Sequence, residues 1–218
     1  HKVTALLNEK RLKQAIDTLA VDIDRLLDWE LRTRFTEMQT AYRYMLEYMR
    51  QGMPDPDRER LHGELIGRCY VLNDQIAIAR LSEQSTRVYC QMRRRYKGLE
   101  NLDSYSARLL ENHANAEVAD SMPADECKNL KERLGREHEQ ILSQLFNTIW
   151  CSTNWSKSDA EKVTATLTND DICINDRATL TSAVMLSALK CFEPLKATTL
   201  CNIAASNESL ISTRAIIG

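Results

Sequence analysis

Apolar side chains recur along this chain every three or four residues, and no stretch alternates convincingly at every second position. Such spacing gathers apolar groups on one face of an α-helix, whereas a half-buried strand needs a period of two. Residues 3–24 read as a helix-turn-helix or one kinked helix, with Leu12, Ala15, Ile16, Leu19 and Ile23 along its second part. Asp28 has the character of an N-cap, ahead of Glu30 in a first turn that favours negative charge. Phe35, Met38, Tyr42, Met45 and Met49 then mark a long helix, ended by Gln51-Gly52-Met53-Pro54. Asp55-Pro56-Asp57 opens the next, carried by Leu61, Leu65, Cys69, Leu72, Ile76 and Ala79 to about Leu81, and the two form an αα-hairpin. Further helices are expected over 85–96, 102–119 and 127–150, with Gly135 marking a kink or a close helix contact in the last. A polar loop at 152–157 surrounds Trp155, and Ser158-Asp159-Ala160-Glu161 matches a capping box opening a short helix.

From residue 175 the helices shorten. Leu180, Val184, Ser187 and Cys191 share one face, Glu193-Pro194 interrupts, and Leu195, Thr198, Cys201 and Ala205 form a second face. Leu210-Ile211 opens a third helix. Sliding the third onto the first sets Leu180 against Ile211, Val184 against Ala215 and Met185 against Ile216, an offset of 31 residues. An offset of that size is a helical-repeat period, in which each helix pair buries its apolar face on the next. The chain stops inside this third helix and does not begin with Met, so a fragment of a longer protein is expected. The expected fold is all-α: long antiparallel helical hairpins followed by HEAT/tetratricopeptide-like helix pairs of an α-solenoid. The expected divisions are 1–98, 99–155 and a truncated 156–218.

Composition narrows the classes. With 43% hydrophobic residues, six Gly and four Pro in 218 residues, breakers are few, which suits helices. No apolar run approaches the roughly 20 residues that span a bilayer. Seven scattered Cys without close pairs suggest small hydrophobic side chains in a reducing cytoplasm and do not suggest a zinc site. The net charge of −2 is uneven: 18 Lys/Arg against 14 Asp/Glu over 1–98, and 11 against 17 over 99–218. This mild asymmetry does not by itself imply nucleic acid.

Candidate chemistry is sparse. His1, His62, His113 and His138 are too dispersed for a local ligand pair, and Glu137-His138-Glu139 is not a His-Glu-x-x-His helix. His138 is therefore expected at a surface or boundary. Neither a Gly-x-Ser-x-Gly elbow nor a Gly-rich phosphate loop occurs, so no catalytic, cofactor or metal residue is assigned and no enzyme is expected. Two features remain as partner-binding candidates. One is the basic segment Arg87, Arg93, Arg94, Arg95, Tyr96 and Lys97, where Arg beside Tyr suits phosphates and stacked bases. Cations in a last helical turn also have a structural reason, the negative end of the helix. The other is the pair Tyr44 and Tyr48, one turn apart and off the buried stripe, which suit a groove for a partner helix or peptide.

Leu6-Leu7-Asn8-Glu9-Lys10-Arg11-Leu12-Lys13-Gln14-Ala15, with Ala41-Tyr42-Arg43-Tyr44-Met45-Leu46-Glu47-Tyr48-Met49, resembles large tetratricopeptide-type helical proteins of gut Bacteroidetes. Residues 176–192 and 211–218 are similar to HEAT-like helices in the middle portion of those proteins. The resemblance spans most of the chain on generic Leu/Ala/Tyr patterns and departs from the full Trp-Leu-Gly-Tyr spacing of a tetratricopeptide unit. It implies a solenoid and carries over no catalytic residue. The expected role is a non-catalytic helical-repeat scaffold for another protein or peptide, the alternative being a nucleic-acid-binding protein using 87–97.

Overall fold

The computed structural model describes residues 2–52, 56–96, 98–121, 123–205 and 209–217, with the backbone alone at 84, 124–126 and 217. These residues form eleven helices and no strand. Met53, Pro54, Asp55 and Lys97, to which turns or charges were assigned above, lie outside the described residues, as do His1 and Gly218. The chain divides into two units, His1–Thr86 and Arg87–Gly218. Within the second unit one apolar core joins Leu99, Leu102 and Leu109 to Leu180, Ile203 and Ala215.

The first unit contains α1 (Lys2–Asn8), α2 (Leu12–Ile23), α3 (Trp29–Arg50) and α4 (Arg58–Gln84). The first two are distinct helices. Lys10 adopts φ 58° between them, in the left-handed region usually held by glycine. Its amide donates to the Leu7 carbonyl, and that of Arg11 reaches back to Leu6 at 2.8 Å, so the orphan carbonyls of α1 are satisfied. Asp28 caps α3, its Oδ1 accepting from the amides of Glu30 and Leu31 at 3.1 Å each. The core joins Leu12, Ile16 and Leu19 of α2 to Phe35, Met38 and Met45 of α3 and Leu65, Cys69, Leu72 and Ile76 of α4. Met49, at the end of the α3 stripe, is exposed.

The second unit contains α5 (Val88–Arg95), α6 (Leu102–Ala119), α7 (Ala124–Cys151), α8 (Lys157–Leu167), α9 (Ile174–Ala188), α10 (Pro194–Ala204) and α11 (Ser209–Ile217). From α7 onward every helix packs on the helix two before it: α7 on α5, α8 on α6, α9 on α7, α10 on α8 and α11 on α9. Odd and even helices thus form two rows, stitched by contacts between α6 and α7, α8 and α9, α9 and α10, and α10 and α11. Leu180, Val184, Ile211 and Ala215, four of the residues matched at the 31-residue offset, are buried, whereas Met185 is half-buried and Ile216 exposed.

Three local expectations need correction. The capping box lies two residues earlier: Ser156 Oγ accepts from the Asp159 amide, and Asp159 Oδ2 accepts from the Ser156 amide. Gly135 is exposed, and a Cβ added there would meet nothing within 4 Å, so no close contact requires it. On α10 the residues Thr198, Cys201 and Ala205 face outward, while Lys196, Thr199, Leu200 and Ile203 are buried.

That last exchange follows from the connector 152–156, which is not the solvated loop its polarity suggests. Ser152, Thr153 and Trp155 are all buried. The Ser152 carbonyl accepts from Ser187 Oγ at 3.0 Å and from Lys196 Nζ at 2.9 Å. Trp155 Nε1 donates to Ser152 Oγ at 2.7 Å, and that hydroxyl donates to the Ile149 carbonyl. The Lys196 ammonium also lies 5.9 Å from the centroid of the Trp155 ring. A buried lysine is tolerable only with such partners.

Candidate functional site

The first unit carries a groove of about 380 Å³ between the α1–α2 turn, the second half of α3 and the start of α4. Tyr42, Met45, Leu46 and Met49 of α3 give it an apolar floor, and Lys10, Arg11 and Lys13 with His62 supply its polar rim. Among the described residues, no Asp or Glu lines it. Lys10 and Arg11 reach this position because the left-handed turn at Lys10 ends α1 there. Burial, and then the Asp17 carboxylate, raise the Tyr42 phenol above its ordinary range, so its hydroxyl stays protonated at neutral pH. Tyr44 and Tyr48 are exposed, 64% and 52%, but do not line this groove. With about 100° between successive helical residues, they fall on another side of α3 from Tyr42, Leu46 and Met49.

The basic segment belongs to the second unit. Arg93, Arg94 and Arg95 occupy the last turn of α5, where cations meet the negative helix end. Arg93 is half-buried and donates to Thr153 Oγ1 at 3.0 Å. Tyr89 packs edge-on to Trp150, with ring centroids 5.1 Å apart, and burial raises its phenol strongly. Part of this segment is thus committed to holding α5 on α7 and the 152–156 connector. Arg87, Arg94 and Arg95 are exposed and Tyr96 is half-buried. Tyr44 and Tyr48 belong to the other unit.

A third constellation escaped the sequence. His113 of α6 and His138 of α7 are 25 positions apart, but the antiparallel helices bring their rings to a centroid separation of 5.4 Å, edge to face. Asp176, in the first turn of α9, meets both: its Oδ2 lies 3.2 Å from His113 Nε2 and 2.8 Å from His138 Nε2. Asp176 is buried, and each imidazole keeps about a quarter of its surface exposed. The boundary position expected of His138 is what the structure has, but the dispersal inferred from the spacing of the four histidines is not. Spacing from the 121–123 break does not pair them, since His113 lies eight residues before it and His138 fifteen after it. Nothing in the local pattern pointed to Asp176.

Comparisons with family models, curated proteins and solved structures give no match to this chain. No helix among the described residues is long and apolar enough to cross a membrane.

Proposed function

We propose that this protein is a non-catalytic α-helical scaffold for another protein, and that its first unit receives an acidic, amphipathic segment of that partner. One observation carries the reading: an apolar floor of Tyr42, Met45, Leu46 and Met49 lies beneath Lys10, Arg11 and Lys13, with no carboxylate among the described residues of the lining, although Glu9 pairs with Arg11 at 3.0 Å. A helical segment docks by laying apolar side chains at i, i+3, i+4 and i+7 into such a floor. Lys and Arg cover apolar surface with their stems while their charges stay in water, and complementary charge on the partner speeds encounter. The two-row packing of α5–α11, with the buried residues matched at 31 positions, supports an α-solenoid of HEAT or tetratricopeptide type in the second unit. That agrees with what the resemblance to Bacteroidetes helical-repeat proteins implies. The seven free cysteines support placing the scaffold in a reducing cytoplasm.

The test is selection of displayed peptides on the full chain. The expected winners interleave Asp/Glu with large apolar residues at helical spacing, and their binding falls at least tenfold in Leu46→Asp and in Met49→Asp. Selected peptides that lack acids, or that bind both variants undiminished, would refute the reading. Nucleic acid at α5 is the competing proposal. Salt-sensitive binding of a single-stranded oligonucleotide, lost in R94E/R95E, would favour it.

A further inference from the structure

We propose that His113, His138 and Asp176 form a binding site for one zinc-class divalent ion, clamping α6, α7 and α9 together. Each helix contributes one ligand, and the three ligand atoms all lie within 4.8 Å of one another. For bond lengths of about 2.0–2.2 Å, a tetrahedral ion separates its ligand atoms by roughly 3.3 Å. The two imidazole-to-carboxylate distances, 2.8 and 3.2 Å, are close to that spacing. Small side-chain rotations therefore suffice, without movement of the helices.

A metal-free arrangement also accounts for these contacts: each Nε2–H donates to Asp176 Oδ2. Two features let the same arrangement accept an ion. Both rings turn the same nitrogen, Nε2, toward one carboxylate oxygen, leaving both Nδ1 atoms to carry the ring protons when a metal binds. Loading then needs a tautomer change in each ring and no net proton loss from neutral imidazole. The site is also closed on the protein side by the buried Asp176 and open on the other past the half-buried imidazoles. This permits entry and leaves a fourth coordination position for water, as three-ligand zinc sites require. Two imidazoles with one carboxylate select against Mg²⁺ and Ca²⁺, which take oxygen ligands, and favour zinc and its first-row neighbours.

The packing around the ligands holds them in place. Leu109, Ile141 and Leu145 are fully buried within the core that α6 and α7 share, and Ala178 and Leu180 anchor the start of α9 in that core. Asn112, next to His113, donates to the Leu134 carbonyl at 3.1 Å and fixes the hairpin register one turn before His138. The site is independent of the groove in the first unit, so failure of either proposal leaves the other standing.

The experiment is titration of chelator-stripped full-length chain with zinc chloride, followed by calorimetry and by competition with a chromophoric chelator. One equivalent should bind, weakened at least tenfold in H113Q and in H138Q and lost in the double variant. Zinc should raise the melting temperature of the wild type and leave the double variant unchanged. Cobalt chloride separates this site from the cysteines: an imidazole/carboxylate site gives visible ligand-field bands without a thiolate-to-cobalt charge-transfer band. Absence of stoichiometric binding, undiminished binding in the double variant, or a thiolate band on the first equivalent would overturn the proposal. The cobalt spectrum of the wild type decides the matter even where a variant fails to fold.

Discussion

Replacing Leu180 by Ala tests the two-row core at its most enclosed point. Leu180 has no exposed surface and sits among the residues that join α6, α7, α9 and α11. Three buried carbons are removed, a transfer loss of about 2.4 kcal/mol at ~0.8 kcal/mol each. If about 70 Å³ of the vacated space persists, a cavity term of ~24 cal/mol per Å³ adds about 1.7 kcal/mol. The sum, about 4 kcal/mol, falls within the usual range for buried Leu→Ala changes. The unit 87–218 has 132 residues. At about 2.1 cal/mol/K per residue its unfolding entropy is about 0.28 kcal/mol/K, so the midpoint should fall by about 14 °C. Leu189, one residue beyond α9 and 68% exposed, provides the control. Its Leu→Ala change should lie within about 0.5 kcal/mol of wild type. Urea unfolding followed by circular dichroism and by Trp fluorescence measures both. A loss below about 1.5 kcal/mol for Leu180→Ala, or an equal loss for Leu189→Ala, would refute the assignment of this core.

Asp28→Ala removes the acceptor for two amides at the start of α3 and should destabilise the chain by about 1 kcal/mol in urea unfolding, with Asp28→Ser restoring most of it. Gly135→Ala should stabilise by about 0.5–1 kcal/mol, because the exposed helical position has room for a Cβ; a loss of stability would show a contact that the structure lacks. Cys69 and Cys151 should resist alkylation at pH 8 in the folded protein while the exposed Cys173 and Cys201 react, as mass spectrometry would show. Burial raises the thiols of Cys69 and Cys151 from 9.0 to about 12. The unfolded chain therefore releases these protons near pH 9 while the folded chain keeps them, and stability should fall as pH rises from about 9 to about 12. The decline should be shallower in Cys69→Ala.

Helix existence was legible because the apolar period was regular: Asp28, the α3 stripe and the burial of Leu180 and Val184 all follow from spacing and capping alone. Legibility ended where polar residues took apolar places. The α10 face was misassigned because Lys196 reads as solvent-facing, yet its long stem lets the ammonium reach the Ser152 carbonyl from inside. Trp155 likewise looked stranded in a polar loop, until Ser152 Oγ accepted its ring N–H. The His113–His138 pair needed the hairpin register, which depends on how far α6 and α7 run before turning. Asp176 needed the packing of α9 on α7, a contact between elements that no local pattern encodes. The place of α5 in the second unit likewise rests on its packing on α7, which its short polar sequence does not encode.

The buried connector at 152–156 inverts the usual relation between loops and tolerance. Surface connections generally accept inserted residues because they leave few backbone groups to satisfy. Here a lengthened connector would withdraw the Ser152 carbonyl from Ser187 and Lys196 at once, and would carry Thr153 away from Arg93. Tags, reporter domains and new chain termini therefore belong elsewhere. Gly52, exposed with φ 68° at the end of α3, offers such a place, and the peptide after Cys151 is the one an engineer should leave uncut.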